Sequence, residues 1–387
     1  MSLIFGRSRR EADLSALSVL SRGRSTGGTV TATPDTALRS GAVWACLRLR
    51  ADLISTLPLD VFREVAGRSV PVPKTPFFIS PSGDFQWHEW LYATQFDLDR
   101  YGNVFGQVVA TDGAGRPAQV ELSDINEWSV RRGKEGEWEY RRSGKVVPRE
   151  LVWHERQFPV AGLPVGLSPV AYAQWTTSHY LSAQQFALDW FEGGFPTGTL
   201  KNTEQVVEEK AAKVIKERFR VATQDRDVFV HGSDWEYTPA GGAASDAKFL
   251  DAMKASTVDI CRYYGVPGDM IDAETSSGSI TYANVTQRNL QLLTMNVGPA
   301  ITRRELTFSR RLVAAPRYVK LNTDAMLRMD ARGKLELLGL GVDKTIYTHD
   351  EARALLDLEP LTDEQIAKEA QIKGPQPAPG TKTGVTP

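Results

Sequence analysis

An α+β fold is what this sequence predicts, and three observations carry the prediction. First, apolar residues recur at three- and four-residue spacing in long stretches. In "GAVWACLRLRADLISTL" they are Val43, Cys46, Leu47, Leu49, Leu53, Ile54 and Leu57, one face of a helix. Second, from Asn103 to about Phe158 short alternating runs are broken by Asp112-Gly113 and Ser143-Gly144, pairs that turn β-hairpins. Third, 387 residues with 41% hydrophobic and 24% charged content suffice for two or three domains with a real core.

The elements follow in order. Residues 1–30 include the small, polar run "SRGRSTGG" and are expected to form a flexible arm. Pro58 ends the first helix, and "LDVFRE" leaves as a strand. A second helix, about 85–99, carries Trp87, Trp90, Leu91, Phe96 and Leu98. After the β-rich block, Ser168 caps a helix with Pro169 at its first position, and Gly193-Gly194 stops it. A βαβ-like insert comes next: strand "TGTLK", a helix over 203–220, and strand "DVFVHG". Glu209/Lys213 and Lys213/Glu217, four apart, mark that helix as solvated on one face. "DAKFLDAMKASTVDICRYYG" is helical again, and a long helix over 284–313 should kink at Gly298-Pro299. Strand "RYVKLNT" precedes short terminal helices, of which one starts on a capping box, Thr348 with Glu351. Residues 366–387 are rich in Pro, Gly and Thr and should be disordered.

One stretch between helices stands apart: "YYGVPGDMIDAETSSGSITYANVTQRN", residues 263–289. Gly265 can take the left-handed conformation that closes a helix, and Pro267 lacks the N–H to continue it. Thr281 or Asn284 can cap the restart. Between them lies a small, polar loop.

Chemistry has no foothold in the sequence. There is no phosphate-binding G-x-x-x-x-G-K-[ST] and no G-x-S-x-G elbow. His88-Glu89 and His154-Glu155 begin a zinc-protease pattern whose second histidine never arrives, and His179, His231 and His349 lack ligand spacing. No catalytic residue, metal site or cofactor is therefore expected. Cys46 and Cys261 form neither a disulfide framework nor a metal pair, and they read as small core residues in a reducing interior. A formal net charge of −1 gives no broadly cationic surface for gripping nucleic acid. No apolar run approaches the roughly 20 residues of a membrane span, and the apolar start is too short for a signal peptide.

Five segments, in order, resemble the Hong Kong 97-like family of tailed-bacteriophage portal proteins. They are "SGAVWACLRLRADLISTLPLDVFRE", "GLSPVAYAQ…FEGGFPTGTL", "DICRYYGVPGDMI…TYANVTQRN", "VGPAITRRELTFSRRL" and "LNTDAMLRMDARGKLELLGLGVDKTIYTHDEAR". Asp350-Glu351 stands where members often have Asn-Glu, a change the capping box survives. The resemblance implies a homo-oligomeric ring, usually a dodecamer, at one capsid vertex of the virion, assembled in the host cytoplasm. Double-stranded DNA is packaged and ejected through its channel. It implies a wing (31–165), stem helices (166–193 and 245–265) around a clip (194–244), and a tunnel loop (266–283). The long kinked helix with its return to the wing (284–324) and a crown (325–365) complete the subunit. Implied partners are the terminase large subunit, which hydrolyses ATP, then a head-completion or adaptor protein, and the major capsid protein. No membrane is involved. Thr275, Ser276, Ser277, Gly278, Ser279, Ile280 and Thr281 would face the DNA channel. Arg303-Arg304 and Arg310-Arg311 would either face DNA or, the preferred reading, form intersubunit pairs or a solvated face. Two rivals stand beside this: another head-tail adaptor ring, which would not need the 284–313 helix, and a soluble α/β enzyme with a dispersed site.

Overall fold

The computed structural model describes residues 32–133, 135–193, 198–224, 234–239, 244–273, 287–288, 290–323, 331–356, 358–362 and 364–365. The chain divides into two compact units between Met326 and Leu327. The predicted arm and tail lie outside the described residues.

In the first unit, helix α1 (Gly41–Ser55) starts where Ser40 accepts the N–H of Val43, and it buries the predicted stripe through Val43, Cys46, Leu47 and Ile54. Pro58 follows, and β1 (Leu59–Val65) pairs antiparallel with β2 (Arg68–Val72). Helix α2 (Trp87–Tyr101) is opened by a Gln86/Glu89 capping box and closed by Gly102 at φ +71°. A Cβ at Gly102 would sit 2.0 Å from the Leu167 carbonyl oxygen, so only glycine lets residues 157–168 pack against this helix end.

Strand β3 (Asn103–Thr111) pairs with β4 (Pro117–Leu122), and β5 (Trp128–Arg132), β6 (Trp138–Arg142) and β7 (Lys145–Val147) form a meander. Strand β8 (Val152–Arg156) returns to the free side of β3. Both expected hairpins are present. Asp112 Oδ1 accepts the N–H groups of Ala114 and Arg116, and Ser143 and Gly144 take φ of +47° and +80°.

Ser168 accepts the N–H of Ala171 and Pro169 opens a first turn, as expected, before α3 (Gln174–Gly193). The insert departs from expectation. Strand β9 (Gly198–Asn202) is followed by α4 (Glu209–Gln224), six residues later than predicted, because Asn202 Oδ1 accepts the N–H groups of Glu204 and Gln205 and turns the chain first. The strand that pairs with β9 is β10 (Trp235–Pro239), and the pairing is antiparallel, so the insert is not a parallel βαβ unit. The predicted strand "DVFVHG" lies outside the described residues. Helix α5 (Ala244–Tyr264) then packs on α1 and α3.

The long helix is described at 287–288 and from Leu290 as far as the end of α6 (Gly298–Leu312), and the π-helical segment runs directly into α6 at Gly298-Pro299. Its irregularity is a π-helical segment, Leu292–Val297, in which the N–H of Gly298 reaches the Leu293 carbonyl. Pro299, which has no N–H to donate, directly follows this π-helical segment as the second residue of α6. The extra residue also keeps the buried face in phase: Leu292 and Val297, five apart, are both buried, and Ile301, Phe308 and Leu312 continue the face. Strand β11 (Arg317–Leu321) completes the β11-β1-β2 sheet. The main core gathers Ile54, Val61, Phe77, Trp90, Trp153, Phe308 and Val319, and a second cluster joins α1 to α5 through Leu47, Ile260 and Tyr264. In the second unit, α7 (Ala331–Asp343) precedes α8 (His349–Ala354), which carries the expected Thr348/Glu351 capping box.

Asp97 on α2 gives this fold a pH dependence. Burial, partly offset by Arg100, pushes its carboxyl from 3.8 up to about 6. The folded protein thus holds this proton more tightly than the unfolded chain. The resulting stabilisation is full below 3.8 and is lost as pH rises through about 6. Asp97→Asn is expected to stabilise the protein by on the order of 1–3 kcal/mol at pH 7.5, with a clearly smaller gain at pH 4.5, in denaturant melts. A gain that does not change with pH would disprove the assignment.

Candidate functional site

The sequence places function in Thr275–Thr281, and those residues lie outside the described ones, as do the caps Thr281 and Asn284. The structure describes the base on which that segment stands. Helix α5 ends as expected, with Gly265 at φ +62°. Pro267 leads into a single 3-10 turn, Gly268–Ile271, and the N–H of Ala273 bonds the Gly268 carbonyl at 2.9 Å. On the returning side, Arg288 pairs with Asp269 and the side-chain amide of Asn296 donates to the Gly265 carbonyl. These two contacts clasp the chain across the base of the segment, 19 and 31 residues apart in sequence.

Behind the clasps lies a buried polar lattice. Arg50 Nη1 donates to the Asn296 carbonyl at 3.0 Å, inside the π-helical segment. Its Nε meets Asp99 Oδ2 at 3.1 Å, with both side chains at most 5% exposed. Asp99 also accepts from Gln95 at 2.9 Å and Gln157 at 2.7 Å, so both carboxylate oxygens are occupied. A buried charge pair is tolerable only when its remaining hydrogen-bonding capacity is met, as here.

Arg304 forms a second lattice. Its Nη1 meets Glu155 Oε2 at 3.0 Å, its Nη2 donates to Thr94, and the guanidinium lies 4.9 Å from the Phe308 ring centre. Glu155 Oε1 accepts from the Trp153 indole at 3.0 Å. Burial pulls the Arg304 pKa below its ordinary value, and Glu155 opposes that shift. Arg311 donates to the Val152 carbonyl at 2.8 Å and covers Trp153 at 4.2 Å.

These contacts correct the reading of the arginine clusters. Arg304 is buried among partners of its own chain, so it is neither a solvated nor a DNA-facing group, while the partly exposed Arg311 bonds the backbone of β8. They sit seven apart with Phe308 between, in phase with Ile301 and Leu312. That spacing was the available signal. Arg303 is half-buried and Arg310 exposed.

His154, His179 and the two cysteines make contacts within the chain. His154 bonds Tyr140 and Asn103, each at 3.1 Å, and stacks on Phe105. Burial, with Arg156, Arg149 and Arg311 nearby, holds its pKa well below the ordinary value and keeps it neutral. His179 bonds Ser256 at 3.1 Å, tying α3 to α5. Cys46 and Cys261 are free, buried thiols in contact, and the hydrogen bond that Cys46 donates to Cys261, together with burial, pushes the Cys46 thiol upward. Among the described residues, no three His, Cys, Asp or Glu side chains gather as metal ligands, and no helix is long and apolar enough to cross a membrane.

The family model "Phage portal protein" matches residues 41–357, and the chain belongs to that family. The probable portal protein of Streptomyces phage phiC31 is 26% identical over 357 residues, covering 86% of this chain and 78% of that one. Among solved structures, an HK97 family phage portal protein from Corynebacterium diphtheriae matches with a TM-score of 0.61 at 19% identity, covering 78% of this chain and 98% of that one. A chain in the neck of a native gene transfer agent particle, computed with C12 symmetry, matches at 0.57 and 17% identity, covering 90% of this chain and 100% of that one.

Proposed function

We propose that this chain is the repeating subunit of a portal ring of twelve copies at one capsid vertex, through which double-stranded DNA is packaged and ejected. The observation that carries the reading is the family match over residues 41–357, which takes in α1 through α8. The twelvefold neck to which a similar chain belongs supports the copy number. In this reading 31–165 form the wing, 166–193 and 245–265 the stem, and 194–244 the clip that receives the terminase large subunit and later an adaptor protein. Residues 266–283 are the tunnel loop, and 325–365 the crown. The wing meets the major capsid protein, and assembly proceeds in the host cytoplasm. The portal family is structural. The chain performs no catalysis of its own in this reading, and the motor supplies the energy.

Native mass spectrometry and negative-stain images of the purified full chain test this. Rings near twelve times 42.8 kDa are expected. A chain that stays monomeric over a broad concentration range overturns the reading.

A further inference from the structure

Leu290, Met295 and Leu306 point out from the long helix with 51%, 72% and 65% of their surfaces exposed. On a regular helix of 3.6 residues per turn, residues 290 and 295 would stand roughly 140° apart. The π-helical turn takes up the extra residue, so that Leu290 and Met295 are both exposed across it, and exposed Pro299 and Thr302 continue from Met295 to Leu306. The same turn that keeps the buried face continuous therefore keeps an exposed apolar face continuous as well. No charged residue falls between Asn289 and Thr302.

We propose that this stripe is one side of the contact between neighbouring copies of the chain in the ring, an inference that rests on the ring reading above. A closed ring is built from heterologous contacts, so each copy must present two unlike faces. The long helix supplies one. A second, unlike apolar face stands at the start of α3, where Tyr172 and Trp175 are 61% and 84% exposed. Covering these aromatic and aliphatic side chains, one face from each partner, takes them from water as the core of a specific interface does. Single exposed apolar residues are ordinary, whereas an aligned, uncharged run on a rigid helix marks a covered surface. Nucleic acid is a poor occupant of the middle of the stripe, because 289–302 offers no cation to a phosphate and Arg288 at its near end is paired with Asp269.

Met295→Glu with Leu306→Glu should raise the concentration at which rings form at least tenfold. Both side chains are exposed, so the melting curve of the dissociated chain should match the unaltered one. A photo-crosslinking residue at Met295 in assembled rings should join two copies of this chain. Rings that form unchanged with both charges in place, or crosslinks that reach no second copy, overturn the interface while leaving the ring standing. An unaltered chain that forms no rings overturns both readings.

Discussion

Arg304→Leu is expected to destabilise the protein by about 3–5 kcal/mol, because it strands the Glu155 carboxylate in a buried site. Glu155 is 5% exposed, and with Arg304 removed its only remaining side-chain donor described here is the Trp153 indole. The loss should appear as a melting temperature lower by about 10 °C, at roughly 2–4 °C per kcal/mol for a chain of this size class. Most of the penalty lies in the orphaned charge, so Glu155→Gln in the same chain should recover part of it. A double-mutant cycle should return a coupling of about 1–3 kcal/mol. Lys cannot substitute well, since one ammonium cannot serve Glu155 and Thr94 in the flat geometry that the guanidinium fork provides. A loss below 1 kcal/mol, or strict additivity, would show that the pair is screened by water rather than buried.

The consequence of that lattice is positional. Arg304 fixes α6 to β8 and α2, and Arg50 fixes the π-helical segment to α2 through the Asn296 carbonyl. Asn296 in turn holds the end of α5. The long helix is thus anchored to α1, α2 and β8 by buried charged groups.

What the sequence made legible was the local chemistry of backbone punctuation. Ser168-Pro169, Ser143-Gly144, Gly265 and the Thr348/Glu351 box all act through neighbours within a few residues, so their partners are visible in the string itself. Arg304 was misread because its partners, Glu155 and Thr94, are 149 and 210 residues away, and a lone arginine in a string reads as surface. The pairing of β9 with β10 was not legible for the same reason: the helix between them says that strands flank it, without saying which residues or in which direction. The π-helical turn did leave a trace, the five-residue step from Leu292 to Val297, but a glycine-proline pair beside it drew attention as the more familiar cause of a kink. As for the candidate site, its first flank was legible as a stop at Gly265, whereas the restart at Thr281 or Asn284 lies outside the described residues. The side chains that clasp its base, Asn296 to Gly265 and Arg288 to Asp269, were not legible, because each spans the whole segment.

Deleting residues 275–279 is expected to leave portal rings that assemble normally yet support DNA packaging at no more than a tenth of the unaltered level. The deleted run, Thr275-Ser276-Ser277-Gly278-Ser279, is small and polar, so it offers little apolar area whose burial could hold subunits together. The clasps flank the deletion. Asn296 still bonds the Gly265 carbonyl and Arg288 still pairs with Asp269, so the two ends stay side by side, and at about 3.3 Å per residue the shortened connection easily joins them. Ring stability should therefore be preserved, which native mass spectrometry reads directly. Packaging should fail because a shortened segment no longer reaches the moving duplex. Small uncharged side chains suit that contact: each fixed Lys or Arg on a phosphate would add salt-sensitive affinity and slow sliding. Packaging of labelled DNA into capsids carrying the deleted portal measures the effect. Loss of the rings would mean that the segment is an assembly element, and full packaging by the deleted ring would remove it from the channel altogether.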